Sequence, residues 1–244
     1  MYQNYIFDLY GTLVDIKTNE KRKSFWEKTA LFYSLNGAAY SWKELKKRYS
    51  VLIQEEEAAL IKKQKKLVSE ESAKYIEIEL DGIFAALYRE KGVSVKKQLI
   101  SDTCLMFRTL SMERLALFEG AKETLEGLRA KGKGVYLLTN AQYSFTEPEL
   151  RVLGIKDYFD GILYSSVEGI KKPSEDFFGL LIKRYDLKKE ESVMVGNDRF
   201  SDVQGALGYG MECRYLHTEQ STPFEGELPE GCVQIARLSD LLLE

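Results

Sequence analysis

Four short segments of the chain hold residue types that do polar chemistry, each following an apolar run. The first is Asp8-Leu9-Tyr10-Gly11-Thr12-Leu13-Val14-Asp15, after Tyr5-Ile6-Phe7. The second is Thr139-Asn140, after Val135–Leu138. The third, Gly169-Ile170-Lys171-Lys172-Pro173, follows Ile162–Tyr164, and the fourth, Gly196-Asn197-Asp198-Arg199-Phe200-Ser201-Asp202, follows Val193–Val195. Together they offer a carboxylate, a hydroxyl–amide pair, an ammonium, and an amide with further carboxylates. A single Asp at a strand end is an ordinary turn former or helix cap. Four such segments in order are harder to explain by capping alone, because ligands of an open parallel sheet bind outside the carboxyl ends of its strands.

The elements that must carry these segments are legible from periodicity. From about Leu117 onward, apolar runs alternate with amphipathic stretches at 121–130, 146–153, 174–185 and 200–208, and another run falls at 214–216. This β–α alternation predicts a parallel sheet covered by helices on both faces, with 5–9 as a central strand. The tail from Ser221 to Cys232 has turn-like Pro and Gly, and a short helix near Leu238–Leu243 is expected to follow. After Asp15 comes a stretch of about 100 residues without proline, in which Ile76, Leu80, Ile83, Phe84 and Leu87 recur at helical spacing. It reads as an all-helical module inserted into the sheet domain. The charge runs EEE at 55–57 and KKQKK at 62–66 read as solvated helix face.

Composition bounds the rest. The chain has 244 residues, with 44% hydrophobic and 30% charged side chains, enough to fill a core. A net charge of -3 lacks the global pull of a nucleic-acid binder. No apolar run approaches the roughly 20 residues that span a bilayer, and the N-terminus has no signal-peptide pattern. Cys104, Cys213 and Cys232 are far apart in sequence, so they read as free thiols of a reducing compartment, and a cytoplasmic protein is expected. The single histidine, His217, excludes a His-rich metal centre.

DLYGTLVD, LLTN, GIKKPSEDFF and VGNDRFSDVQGA resemble, in order, the four motifs of the haloacid dehalogenase superfamily, most of whose members are phosphatases. The resemblance implies an α/β fold: a Rossmann-like core over 1–16 and 116–244, with a helical cap domain over 17–115. It also implies a Mg²⁺-dependent phosphatase of small phosphorylated metabolites, acting through an aspartyl-phosphate at Asp8. Catalysis would fall to Asp8, Tyr10, Thr139 and Lys172, and substrate binding to Thr139, Asn140 and Lys172. Mg²⁺ would be held by Asp8, the Tyr10 backbone carbonyl, and Asn197, Asp198 and Asp202, a set of hard oxygen donors. Thr12 would bond to the backbone of its turn, and Pro173 would open a helix.

Two positions depart from the family pattern. Tyr10 stands where the family commonly has an acid–base Asp, and Asn197 where it has a metal-binding Asp. The first is familiar from 2-haloacid dehalogenases. A carbon-centred hydrolase of that kind, or a weakly active phosphate-binding or scaffold protein, is therefore the alternative. The early cap, FWEKTALFYSLNGAAYSW, lacks the arginine those dehalogenases place there, and Phe178 stands where they carry a tyrosine.

Overall fold

The computed structural model describes residues 2–64, 74–223 and 226–244. Its centre is a six-stranded parallel sheet in the order β5-β4-β1-β6-β7-β8. These strands are β1 (Asn4–Phe7), β4 (Gly134–Thr139), β5 (Gly161–Tyr164), β6 (Ser192–Gly196), β7 (Glu212–Leu216) and β8 (Cys232–Ile235). The first strand lies in the middle, with Phe7 level with Leu137 on one side and Val195 on the other. A strand hydrogen-bonded on both edges and covered on both faces must be apolar throughout, as Tyr5-Ile6-Phe7 is. Alternation sends Tyr5 and Phe7 into one core cluster with Val135, Leu137 and Val195, and Ile6 into the other with Leu138, Leu163 and Met194.

The connecting helices are α5 (Ala121–Ala130), α6 (Tyr143–Val152), the short α7 (Ser165–Glu168), α8 (Glu175–Arg184) and α9 (Gly205–Tyr209), the last preceded by a π-helical turn over Arg199–Gln204. The closing segment Leu238–Leu243 is 3₁₀-helical. Strand β8 lies in the tail, between the turn-rich stretch and that closing segment. Its sequence, Cys-Val-Gln-Ile, is too short for a period-2 signal to stand out. The sequence places Pro173 in the first turn of a helix, but α8 starts at Glu175 with Ser174 as its N-cap residue.

The inserted module is helical: α1 (Lys23–Leu35), α2 (Trp42–Gln64), α3 (Leu80–Glu90) and α4 (Lys97–Ser111). It has its own core of Phe25, Trp26, Tyr33, Phe84, Leu87, Tyr88 and Phe107, to which the sheet domain contributes Phe145 of α6. Phe107 packs edge-on to Phe25 at 4.8 Å between ring centroids and tilted against Phe84 at 5.0 Å. Each such ring, fully buried, stabilises by about 1.5–3 kcal/mol. Glu55, Glu56, Glu57, Lys62 and Lys63 are exposed on α2, while Lys65 and Lys66 lie outside the described residues.

Two strands that periodicity does not reveal join the module to the sheet domain. β2 (Val14–Thr18) and β3 (Met112–Leu117) pair antiparallel, with Asp15 level with Ala116. Both expected domain boundaries, at 16/17 and 115/116, fall inside this ribbon. It is short, its outer positions are charged, and no Gly or Pro marks its ends, so the sequence runs through it without a break.

Candidate active site

Asp8 follows β1 directly, and its N–H donates to the Val195 carbonyl at 2.9 Å, continuing the pairing with β6. The chain then folds back: the Leu9 carbonyl accepts from the N–H groups of Leu13 and Val14 at 2.8 and 2.9 Å. Gly11 makes this turn with φ +88°, and a Cβ there would lie 2.4 Å from Asn197 Nδ2. Glycine is therefore needed twice, for its backbone angle and for the approach of the fourth segment.

The four segments converge. Lys172 Nζ lies 2.6 Å from Asp8 Oδ1 and 2.7 Å from Asp202 Oδ1, and all three side chains are buried. Burial alone would pull the Lys172 ammonium down, but Asp202 and Asp8 outweigh it and raise its pKa. Burial, opposed by Lys172 and reinforced by Asp8, raises the Asp202 carboxyl. The second Asp202 oxygen accepts from the Asp198 N–H at 2.9 Å, and a Cβ on Gly196 would lie 2.3 Å from it. Gly196 thus makes room for Asp202.

Thr12 bonds through its side chain, not only within its turn. Its hydroxyl is 3.1 Å from Asp8 Oδ2 and 3.2 Å from Asn197 Oδ1. No spacing rule flags this contact, because Asn197 is remote in sequence. Thr139 ends β4 fully buried, and its hydroxyl has no hydrogen-bond partner among the described residues. Such a group is costly unless something binds it.

Three expected site residues are engaged elsewhere. Asn140 faces the backbone of Lys172: its Nδ2 donates to the Lys172 carbonyl at 3.0 Å and its Oδ1 accepts from the Lys172 N–H at 2.8 Å. It positions the lysine. Asp198 caps the turn that follows it, with Oδ1 accepting from the N–H groups of Phe200 and Ser201 at 3.1 and 2.6 Å and Oδ2 from the Thr222 hydroxyl at 2.7 Å. Burial raises its carboxyl, but these donors outweigh that and hold it below the usual range. Its oxygens serve the cap, which counts against the metal role the sequence suggests. The Tyr10 phenol donates to Glu149 of α6 and lies 2.8 Å from the Thr146 hydroxyl. Burial, followed by the Glu149 charge, pushes it well above the ordinary phenol range.

Arg108 and Glu149 carry no sequence motif, yet they meet beside Tyr10. Arg108 Nε of α4 is 2.5 Å from Glu149 Oε1, and the guanidinium sits 5.5 Å over the Tyr10 ring. His217 packs with the Tyr215 hydroxyl 3.2 Å from its Nδ1 and lines a surface cleft with Asp15, Arg114 and Arg237.

A cation would have to be held by oxygen. Among the described residues no cluster of three or more His, Cys, Asp or Glu side chains is placed to hold a metal. The donor set is instead one carboxylate with neutral oxygens. Thr12 has one hydroxyl proton for two acceptors, Asp8 Oδ2 and Asn197 Oδ1, so lone pairs remain on converging oxygens. Asp8, Asp202 and Lys172 sum to one negative charge. Hard, oxygen-only donors with a residual negative charge fit a divalent cation such as Mg²⁺.

The site is thus a buried carboxylate–ammonium cluster at the carboxyl edge of a parallel sheet, in a chain whose sheet domain carries an inserted helical module. The chain belongs to the haloacid dehalogenase-like hydrolases, whose family profile matches residues 2–210. Over 101 residues it is 38% identical to the ribulose-1,5-bisphosphate 5-phosphatase of Halopiger xanaduensis, a match covering 41% of this chain and 42% of that protein. Over 190 residues it is 26% identical to the glyceraldehyde 3-phosphate phosphatase of Methanothermobacter thermautotrophicus, covering 78% and 80%. The chain spans about half the length of most of the curated relatives it matches. A 2-haloacid dehalogenase from Pseudomonas syringae shares the fold, with a TM-score of 0.67 at 21% identity over 100% of this chain and 98% of that one. Among the described residues no helix is long and apolar enough to cross a membrane.

Proposed function

We propose that the protein is a Mg²⁺-dependent phosphatase of small phosphorylated metabolites, with Asp8 as nucleophile, built from a core over 1–16 and 116–244 and a cap over 17–115. The observation that carries this reading is the buried Asp8 carboxylate, held between Lys172 Nζ and the Thr12 hydroxyl. Those contacts fix the carboxylate in one orientation. One Asp8 oxygen attacks phosphorus, forming an acyl phosphate and splitting one hard displacement into two easier ones. Lys172 supplies positive charge beside both the nucleophile and the transferring group. The buried Thr139 hydroxyl, without a protein partner, donates to a phosphoryl oxygen. Asn140 and Asp202 hold Lys172 from its backbone and its ammonium. Asp8, the Tyr10 carbonyl and Asn197 would hold Mg²⁺, which when bound neutralises the repulsion between anionic nucleophile and anionic phosphate. The free thiols of Cys104, Cys213 and Cys232 suit a reducing, cytoplasmic setting.

Phosphate release from a panel of phosphorylated metabolites, with Mg²⁺ and with EDTA, tests the reading. Asp8→Asn is expected to bring turnover to background while the fold, checked by circular dichroism, is kept. Intact-mass spectrometry of quenched wild-type enzyme should show a phosphate adduct that the variant lacks. More than a few per cent of residual turnover in Asp8→Asn would overturn the nucleophile. Chloride release from 2-chloropropionate without phosphate release would replace the phosphatase by a carbon-centred hydrolase.

A further inference from the structure

Tyr10 stands two residues after Asp8, but its hydroxyl is aimed at α6. There it meets a carboxylate that is itself paired: Glu149, buried at 6% exposed, bonds Arg108, partly buried at 15%. Arg108 closes the arrangement from the cap side, lying over the rings of both Tyr10 and Phe145. The phenol therefore has an anionic acceptor of its own on α6, with the Thr146 hydroxyl beside it at 2.8 Å.

The other proton-bearing side chains about Asp8 are poor substitutes. The Lys172 ammonium is held on Asp8 and Asp202 at 2.6 and 2.7 Å, and the two Asp202 oxygens accept from Lys172 and from the Asp198 N–H. The hydroxyl of Thr12 already bonds Asp8 and Asn197. A threonine hydroxyl such as that of Thr139 is too weak an acid to protonate a departing oxygen. His217, the one histidine of the chain, is set against Tyr215.

A phosphoryl transfer that ejects an alkoxide needs a proton at the bridging oxygen, and a positioned acid typically contributes about 10²–10⁴-fold. A carboxylate or an aryloxide leaves without one. We infer that the Arg108–Glu149 pair holds the Tyr10 phenol off the reacting centre, so that the site takes phosphoryl donors whose leaving oxygen departs unprotonated: acyl phosphates, and aryl or enol phosphates. This rests on the phosphatase reading and narrows it to a leaving-group class.

The chemistry balances without a general acid. An Asp8 oxygen forms a bond to phosphorus as the bond from phosphorus to the leaving oxygen breaks, and the electron pair departs with a carboxylate or aryloxide. Water then attacks the phosphorus of the aspartyl-phosphate, the bond to Asp8 breaks, and the water proton ends on a phosphate oxygen. An acyl phosphate dianion plus water gives a carboxylate and dihydrogen phosphate.

The test is a leaving-group series at saturating Mg²⁺: acetyl phosphate, p-nitrophenyl phosphate, phenyl phosphate and glycerol phosphate. Wild-type kcat/KM is expected to fall steadily along the series, with glycerol phosphate at least about 100-fold below p-nitrophenyl phosphate, the low end of what a general acid supplies. Tyr10→Asp should narrow that gap by about tenfold or more, through a gain on the alkyl ester. If wild-type enzyme handles glycerol phosphate as well as p-nitrophenyl phosphate, the inference falls while the phosphatase reading stands. Phosphate release from none of the four, acetyl phosphate included, would overturn both. Should Tyr10→Asp not fold, the wild-type series decides alone.

Discussion

Two ionic clusters, one buried and one partly buried, meet the nucleophile loop, at Asp8 and at Tyr10, and they are built differently. Asp8 and Lys172 come from two loops and Asp202 from the helical turn after β6, all at one edge of a single sheet, so β1, β5 and β6 and the segments after them set their distances. Arg108, Glu149 and Tyr10 span two bodies: one member rides on cap helix α4, one on α6, and one on the loop after β1. The first cluster is held by a single sheet. The second depends on how the cap sits, and in turn ties the cap to the loop that holds Asp8. Removing a partner from the fully enclosed cluster should therefore cost more than removing one from the cluster at the boundary.

The largest effect is expected from Lys172→Met. It leaves two carboxylates, Asp8 and Asp202, buried and facing each other, which should cost about 3–5 kcal/mol in urea unfolding. It should also lower kcat by about 10²–10³-fold or more, as losing one charge-stabilising donor does. Adding Asp202→Asn should recover much of the stability and none of the activity. Equal recovery of both would show that the lysine acts only as a structural partner.

Glu149→Gln comes next. The amide keeps the shape but leaves the Arg108 guanidinium without its counter-charge. Because Arg108 retains some solvent contact, the expected loss is smaller, about 1–2 kcal/mol by thermal or urea unfolding. A cost equal to that of Lys172→Met would erase the distinction between the two clusters.

The smallest effect concerns Asp198. If it is a cap, Asp198→Ala should cost about 1 kcal/mol. Its carboxyl is held below the ordinary range by the N–H and hydroxyl donors around it. That contribution is present above the unfolded carboxyl range, near 3.9, and is lost as pH falls through the lower folded value. The stability gap between wild type and Asp198→Ala should therefore close in acid. Mg²⁺ affinity by titration calorimetry should drop further in Asn197→Ala than in Asp198→Ala, and the reverse order would return Asp198 to the metal.

The elements of the sheet were legible because each apolar run must be buried on both faces and so shows up whole. Tyr5–Phe7, Val135–Leu138 and Val193–Val195 lie in β1, β4 and β6. The β2–β3 ribbon was not, since Asp15, Lys17, Glu113 and Arg114 interrupt it with charge and its partners are far apart along the chain. Local order in the chain also placed Asp8, Thr139, Lys172 and Asp202 at strand or loop ends, where a parallel sheet presents ligand-binding groups.

What residue order alone could not decide was which atom each side chain faces. Asn140, which the resemblance makes a substrate-binding group, grips the Lys172 backbone. Asp198, which the resemblance makes a metal ligand, caps a turn with the same carboxylate. Tyr10 follows the nucleophile by two residues, yet its hydroxyl is claimed by a glutamate 139 positions away, under an arginine from the cap. Amino-acid type and spacing determine which groups arrive at the sheet edge, because strand period and burial act locally along the chain. Their hydrogen-bond partners are set by contacts between distant segments, and the choice among competing acceptors within about 3 Å is made only when those segments pack.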